Sequence, residues 1–265
     1  MLALKAIGVL AVFAVGLVGG VVPLRARDEA GRGRLLAWGN ALAAGVFLGA
    51  GLIHLLPEAD EAWRALGWSY PVAFLLAAAA FLAMLLFEHV LLPEGAHEAL
   101  HTPAGDRFSR MGAAATSGIE PYAILAALSL HSFLTGTALG SQQHVAGALV
   151  LFVAIMAHKS TAGFALGVSL ARSGMRRSHA YGLLAFFAAA TPLGIVAGIV
   201  LGQSLQVRPQ RVAEAALTAM AGGTFVYVAT LDILREELVG PGSLWMKWLL
   251  VSAGTAAMAA LALWL

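Results

Sequence analysis

The sequence predicts an all-α integral membrane protein of eight transmembrane helices. Three observations carry this. Of 265 residues, 60% are apolar and only 11% charged, a composition that belongs to chains solvated by lipid. The apolar residues fall into runs of about 20, the length of helix that crosses a bilayer. The charges collect in the short segments between those runs, because a charge at the bilayer centre is costly. So little is left over that residues 1–265 are expected to form a single polytopic domain.

The first run, 2–24, carries Lys5 and a long apolar stretch but no clear small-x-small cleavage site, so it is expected to stay as a span and not to leave as a signal peptide. Runs 35–56 and 70–92 follow. Next comes the longest polar segment, 93–117, holding Glu94, His97, Glu98, His101 and Asp106. His97 and His101, four residues apart, could chelate a metal if helical; otherwise the segment is a solvated loop. The remaining spans are expected at 118–140, 145–170, 180–203, 212–234 and 244–265. Trp38, Trp63, Trp68, Trp245 and Trp248 fit an interfacial aromatic belt. Gly49, Gly51, Gly136, Gly140, Gly163 and Gly167 offer small faces for close helix contact. With the termini outside, eleven of the 16 Lys and Arg residues fall in cytoplasmic loops and four outside (Lys5, Arg64, Arg208, Arg211), Lys159 being inside a span. That bias places both termini outside and segment 93–117 in the cytoplasm. The net charge is only +2, no basic patch with interleaved aromatics occurs, and no nucleic-acid partner is expected. The chain has no cysteine, which excludes disulfides and thiolate metal ligands.

Two internal matches point to a site. His131-Ser-Phe-Leu-Thr-Gly136-Thr-Ala-Leu-Gly140 repeats in His158-Lys-Ser-Thr-Ala-Gly163-Phe-Ala-Leu-Gly167. Both lie mid-span, where a titratable ring faces a bundle interior, a partner or water. Two interhelical hydrogen bonds would also explain such a pair. Phe47-Leu-Gly-Ala-Gly-Leu-Ile-His54-Leu-Leu-Pro-Glu58 lines up with Phe225-Val-Tyr-Val-Ala-Thr-Leu-Asp232-Ile-Leu-Arg-Glu236. Each places a potential ligand seven residues after Phe and a carboxylate four later, on one helical face. These segments end spans two and seven, which run in opposite directions. Spans 1–3 and 6–8 are therefore expected to be inverted repeats flanking spans four and five, a 3+2+3 plan that secondary transporters use around a midplane site.

Neutral imidazole ligates zinc, iron, nickel and copper. The candidate metal ligands are His131, His158 and His54, with Ser132 and Thr135 as weak oxygen donors or holders of a water; Thr135 shares the face of His131. His54, near the end of its span, could equally be an interfacial histidine. Glu58, Asp60 and Glu61 form a candidate entrance that would concentrate cations. Asp232, Glu236 and Glu237, with Glu88 and His89 near the same side, form a candidate exit; plain interface anchoring is the other reading of both clusters. Lys159 must pair, snorkel or lose its proton at that depth, and as a cation it opposes a second dication beside it. No carboxylate stands where a metal hydrolase would need a general base, so no enzymatic activity is expected.

These residues resemble the ZIP (Zrt-, Irt-like protein) family of metal-ion transporters over essentially the whole chain. The matches are the His54–Glu58 motif of span two, His131-Ser132 with Gly136 to Gly140, His158-Lys159, Thr191-Pro192-Leu193-Gly194, and Ala221 to Asp232. The His-Lys pair and Thr-Pro-Leu-Gly look most like the animal and fungal-type branch. The resemblance implies a multi-pass transporter of the inner or plasma membrane that moves a divalent transition metal, zinc foremost, towards the cytoplasm. Zinc is then substrate, no prosthetic group is expected, and the partners are the metal ion, the lipid bilayer and, as an option, a second copy in a homodimer. Three positions depart from the family pattern: its span-four Glu is Thr135, a frequent span-five Glu is Ala162, and a frequent span-six Glu is Thr191. Lys159 and Ala162 resemble the branch thought to hold one metal. The alternative is a membrane metal-binding protein or sensor, a degenerate homologue with weak transport or none.

Overall fold

The computed structural model of the chain describes residues 2–26, 33–90, 120–142, 145–204, 207–240 and 242–263. Among the described residues the regular structure is entirely helical. The expected loop 93–117, with His97 and His101, lies outside them. Helix α1 is Leu2–Ala26, and α2 is Gly33–Gly49, continued by a π-helical segment Ala50–Leu55 and then α3, Leu56–Ala65. Helix α4 is Val72–His89, α5 Glu120–Ser141, α6 Val145–Arg172 and α7 Arg177–Ser204. Helix α8, Val207–Tyr227, passes through a second π segment, Val228–Leu234, into α9, Arg235–Val239; α10 is Leu244–Ala262. Among the described residues seven stretches are long and apolar enough to cross a membrane, and α4 contributes a shorter apolar helix, Val72–Leu86.

Local chemistry sets the ends. Gly67 takes φ +91° after α3 and gives its N–H to Arg64 O at 2.9 Å, the left-handed stop that glycine allows without a Cβ clash. Ser243 caps α10 by accepting from Met246 N at 3.5 Å. In the first π segment Leu56 N–H reaches back five residues to Gly51 O. Pro57 has no N–H for the carbonyl four residues earlier and its ring crowds that oxygen, so a widened turn immediately before it takes up the misfit. In the second, Arg235 N–H bonds Thr230 O, and the Thr230 hydroxyl adds a donor to Val226 O at 2.6 Å.

The long helices pack as pairs: α1 on α6, α5 on α7, α2 on α10, and α4 on α8. All four contacts are backbone to backbone. A Cβ on Gly163 would run into the main chain of Gly16 and Gly20, one on Gly194 into that of Phe133 and Thr137, one on Gly45 into that of Val251, and one on Gly223 into that of Ala77. Lipid gives helices little hydrophobic reason to associate, so such close fits supply van der Waals contact in its place. The central core gathers Phe47, Leu128, Leu166, Leu184, Phe187, Phe225 and their neighbours, with Phe47 and Phe225 ring centroids 5.1 Å apart. Trp63 departs from the interfacial expectation. It is buried with Ala59, Ala73, Ala215 and Ala219, because small residues on α3, α4 and α8 leave room for a ring between them.

Candidate functional site

Four of the candidate residues open onto one cleft with a fifth at its mouth. The cleft spans about 450 Å3, counted together with the open solvent at its mouth. His54 and Glu58 line it from the π segment and α3, His131 and Thr135 from α5, His158 from α6, and Thr218 from α8, among apolar walls such as Leu134, Leu151 and Ile155. His131 and His158 are each only 4% exposed, and their ring centroids lie 5.6 Å apart at an interplanar angle of 53°. Phe225 packs on the His131 ring at 4.3 Å and fixes its plane. Among the described residues the Nε2 of His131 is buried without a hydrogen-bond partner. An unpaired ring nitrogen in that setting is costly, which makes it a candidate to bind water or a metal ion. Thr135 Oγ donates back to His131 O at 3.1 Å and Ser132 O at 3.2 Å, so its proton is spent on its own helix and its oxygen can act as an acceptor towards the cleft.

Ser132 and Lys159 lie elsewhere. Ser132 is not among the cleft-lining residues. Its Oγ accepts from Lys159 Nζ at 2.8 Å. The same ammonium donates to Thr191 Oγ at 3.0 Å and Phe187 O at 3.4 Å and sits 3.8 Å from the centre of the Phe187 ring. Three acceptors and an aromatic face thus take the place of a carboxylate partner. Lys159, 2% exposed, neither snorkels nor reaches the cleft; it ties α6 to α5 and α7.

At the mouth, Glu58 Oε2 is 3.9 Å from His54 Nε2, with Glu61 and Glu214 as further charged neighbours. Asp60 is not free to join them, since Arg64 Nε donates to it at 2.8 Å. Glu214 and Thr218 escaped the sequence reading. They stand one turn apart on α8, and no motif marks them.

The candidate exit residues meet at the other end of the core. Asp232 and Glu236 line a second cleft with Asn40, Ser169 and Arg172. Arg172 forks, Nη1 to Glu236 at 2.8 Å and Nη2 to Glu237 at 2.7 Å. Glu237 is buried; it also accepts from Asn40 Nδ2 at 3.0 Å and lies 3.8 Å from Lys247 Nζ. Lys247 in turn donates to the carbonyls of Glu237 and, at 3.0 Å, Gly240. The sequence reading counted Arg172 and Lys247 only as loop charges, since nothing local shows that they fold back onto α9. Glu88 and His89 close α4, but their side chains lie outside the described residues. Among the described residues no three His, Asp or Glu side chains come together as a ready metal cage.

Comparison with known proteins bears on this arrangement. The family model described as ZIP Zinc transporter matches residues 2–117 and 94–262. Zinc transporter ZIP2 of Mus musculus is 29% identical over 87% of this chain and 86% of its own. Zinc transporter ZIP1 of Bos taurus is 30% identical over 88% and 80%, and that of Takifugu rubripes 29% identical over 92% of each. With that coverage, and with a bundle of long apolar helices, the chain is a multi-pass membrane protein that belongs to the ZIP zinc transporter family.

Proposed function

We propose that this protein carries divalent transition-metal ions, zinc foremost, across the membrane towards the cytoplasm, with His131 and His158 as the ligands at mid-path. The observation that carries this reading is the buried, unpartnered Nε2 of His131 beside His158 at the closed end of a cleft. Two imidazoles sharing a tetrahedral ion at the usual nitrogen–metal distance have ring centroids about 5 Å apart, close to the 5.6 Å of this pair. His54 and the oxygen of Thr135 complete the set with water, an open arrangement suited to reversible binding. The ion enters past Glu58 and Glu61, with Asp60 held by Arg64, and leaves past Asp232 and Glu236. The relatives are named zinc transporters, which supports zinc as substrate and a carrier role in place of an enzymatic one.

The 3+2+3 inverted repeat is part of this proposal. Both π segments start three residues after a matched Phe, Phe47 or Phe225, and contain the matched His54 or Asp232. Gly45, two residues before the first Phe, meets the backbone of Val251; Gly223, two before the second, meets that of Ala77. The helix pairs exchange in the same way: α1 with α6 for α7 with α5, and α10 with α2 for α4 with α8. Both termini then lie outside, residues 1–265 act as one polytopic unit, and one bundle rocks against the other, whether in a single chain or a homodimer. Ser132, held by Lys159, acts by positioning that ammonium.

Thr135, standing where a carboxylate would be, favours a second reading, a homologue that binds metal without moving it. Zinc uptake into proteoliposomes separates the two. Saturable uptake is expected from the parent chain, and its loss from His131→Ala and from His158→Ala with folding intact. Parent-like transport by both variants would remove the proposed site.

A further inference from the structure

The second cleft, about 250 Å3, holds polar atoms that the transport path described so far leaves unused. Asn40 is 4% exposed. Its Nδ2 is committed to Glu237, which turns Oδ1 the other way, and among the described residues that oxygen is buried without a partner. Ser169 Oγ is likewise buried and unpartnered there, as is Ser129 Oγ, which does not line this cleft. The hydroxyls of Thr135, Thr137, Ser141, Thr224 and Thr255, by contrast, all bond back to their own helix. Asn40 and Ser169 line the same cleft as the carboxylates of Asp232 and Glu236. It shares no lining residue with the histidine cleft.

Arg172 also lines it, and its two contacts are not equivalent. If the guanidinium swings away, Glu237 keeps Asn40 and Lys247, whereas Glu236 loses its ion pair with Arg172. One carboxylate is anchored and the other is exchangeable.

We propose that this cleft is a second cation site, an oxygen-lined stopping place made by Asn40 Oδ1, Ser169 Oγ, Asp232 and Glu236, and that Arg172 is its tethered competitor. The guanidinium holds Glu236 while the site is empty and is displaced when a dication arrives. This rests on the transport reading above, because it places the site on the exit side of the histidines. Carboxylate, carbonyl and hydroxyl oxygens suit hard dications and hold zinc more weakly than imidazole does. Weak holding is what an exit needs, since an ion bound too well does not leave. Competition from a built-in cation keeps the site empty between ions.

The test uses the full chain carrying His131→Ala and His158→Ala, titrated with Mn2+ while the paramagnetic signal of the free ion is followed. Imidazole is a poor reason to bind this ion, so the oxygen site dominates the readout. One weak Mn2+ site is expected to remain. Adding Arg172→Gln should tighten it about tenfold, and adding Ser169→Ala should weaken it about threefold. Arg172→Lys keeps the charge but loses the fork; it should tighten binding by less and serves if Arg172→Gln does not fold. Absence of Mn2+ binding, or affinity unmoved by the Arg172 and Ser169 substitutions, overturns the proposal. Failure of the transport reading shows differently: zinc uptake would then survive the two histidine substitutions, whatever Mn2+ does.

Discussion

At the scale of single residues, the proposed chemistry rests on a ring nitrogen without a partner among the described residues and a threonine where a charge would help. His131 and His158 are legible because histidine is rare inside a span and the two recur in one repeated motif. The partners of Lys159 are not legible, since Ser132 and Thr191 lie 27 and 32 residues away and only the bundle brings them near. Two outcomes follow. Thr135→Glu puts an anion on the cleft wall one turn from His131, and zinc or cadmium binding by calorimetry should tighten at least about tenfold. Ala162→Glu should help less, because Ala162 is buried in the apolar core and lies three residues after Lys159, whose ammonium can pair with the new carboxylate. A Thr135→Glu chain that binds no better than the parent strips the position of its meaning. Acid should act in the opposite direction. An imidazole ordinarily titrates near 6.5, and only the neutral ring ligates. With two histidines and no carboxylate among the proposed inner ligands, zinc affinity should fall once the solution is acid enough to protonate those rings. A dissociation constant that stays unchanged down to the pH at which the chain unfolds would take imidazole out of the binding step.

At the scale of elements, hydropathy alone was enough to read helices, because a backbone in lipid must satisfy its own hydrogen bonds and a helix does so locally. The π segments were not readable. Pro57 hints at the first, but the second has no proline, and its widened turn is set by the helices around it. Trp63 was misplaced for a related reason: the alanines that make room for it sit on α3, α4 and α8, far apart in sequence. Glycine spacing did flag the tight crossings, and it supplies a prediction. Gly194→Val drives a side chain into the backbone of Phe133 and Thr137, which should cost at least about 1–3 kcal/mol as overpacking and separate α5 from α7. Gly182→Ala is the control. A Cβ there meets nothing within 4 Å, and alanine is the better helix former by about 1 kcal/mol, so thermal unfolding in detergent should shift slightly upward. Equal unfolding temperatures for both variants would mean that the crossing is not close-packed.

At the scale of the whole molecule, the two clefts share no lining residue. On the proposed reading the packed core, with Phe47 and Phe225 in contact, closes the path between them. Glu237 ties α9 to α2 through Asn40, to α6 through Arg172 and to α10 through Lys247, so on the proposed reading it belongs to a state in which the Glu236 end is held together. Removing one member of a buried charge network costs about 3–5 kcal/mol in the state that contains the network. A state in which those helices have parted does not bear that cost, so Glu237→Gln should shift the population towards opening at that end. The cysteine-free chain makes this measurable with a single introduced thiol. In oriented vesicles, Thr218→Cys in the histidine cleft should react with an impermeant maleimide from the Glu58 face, and zinc should slow it. From the Glu236 face the same thiol should react slowly in the parent background and several-fold faster once Glu237→Gln is added. Equal rates from both faces in the parent background would mean that the middle of the path is not closed. No acceleration by Glu237→Gln would mean that the Arg172–Glu237 network holds helices together without controlling which end is open.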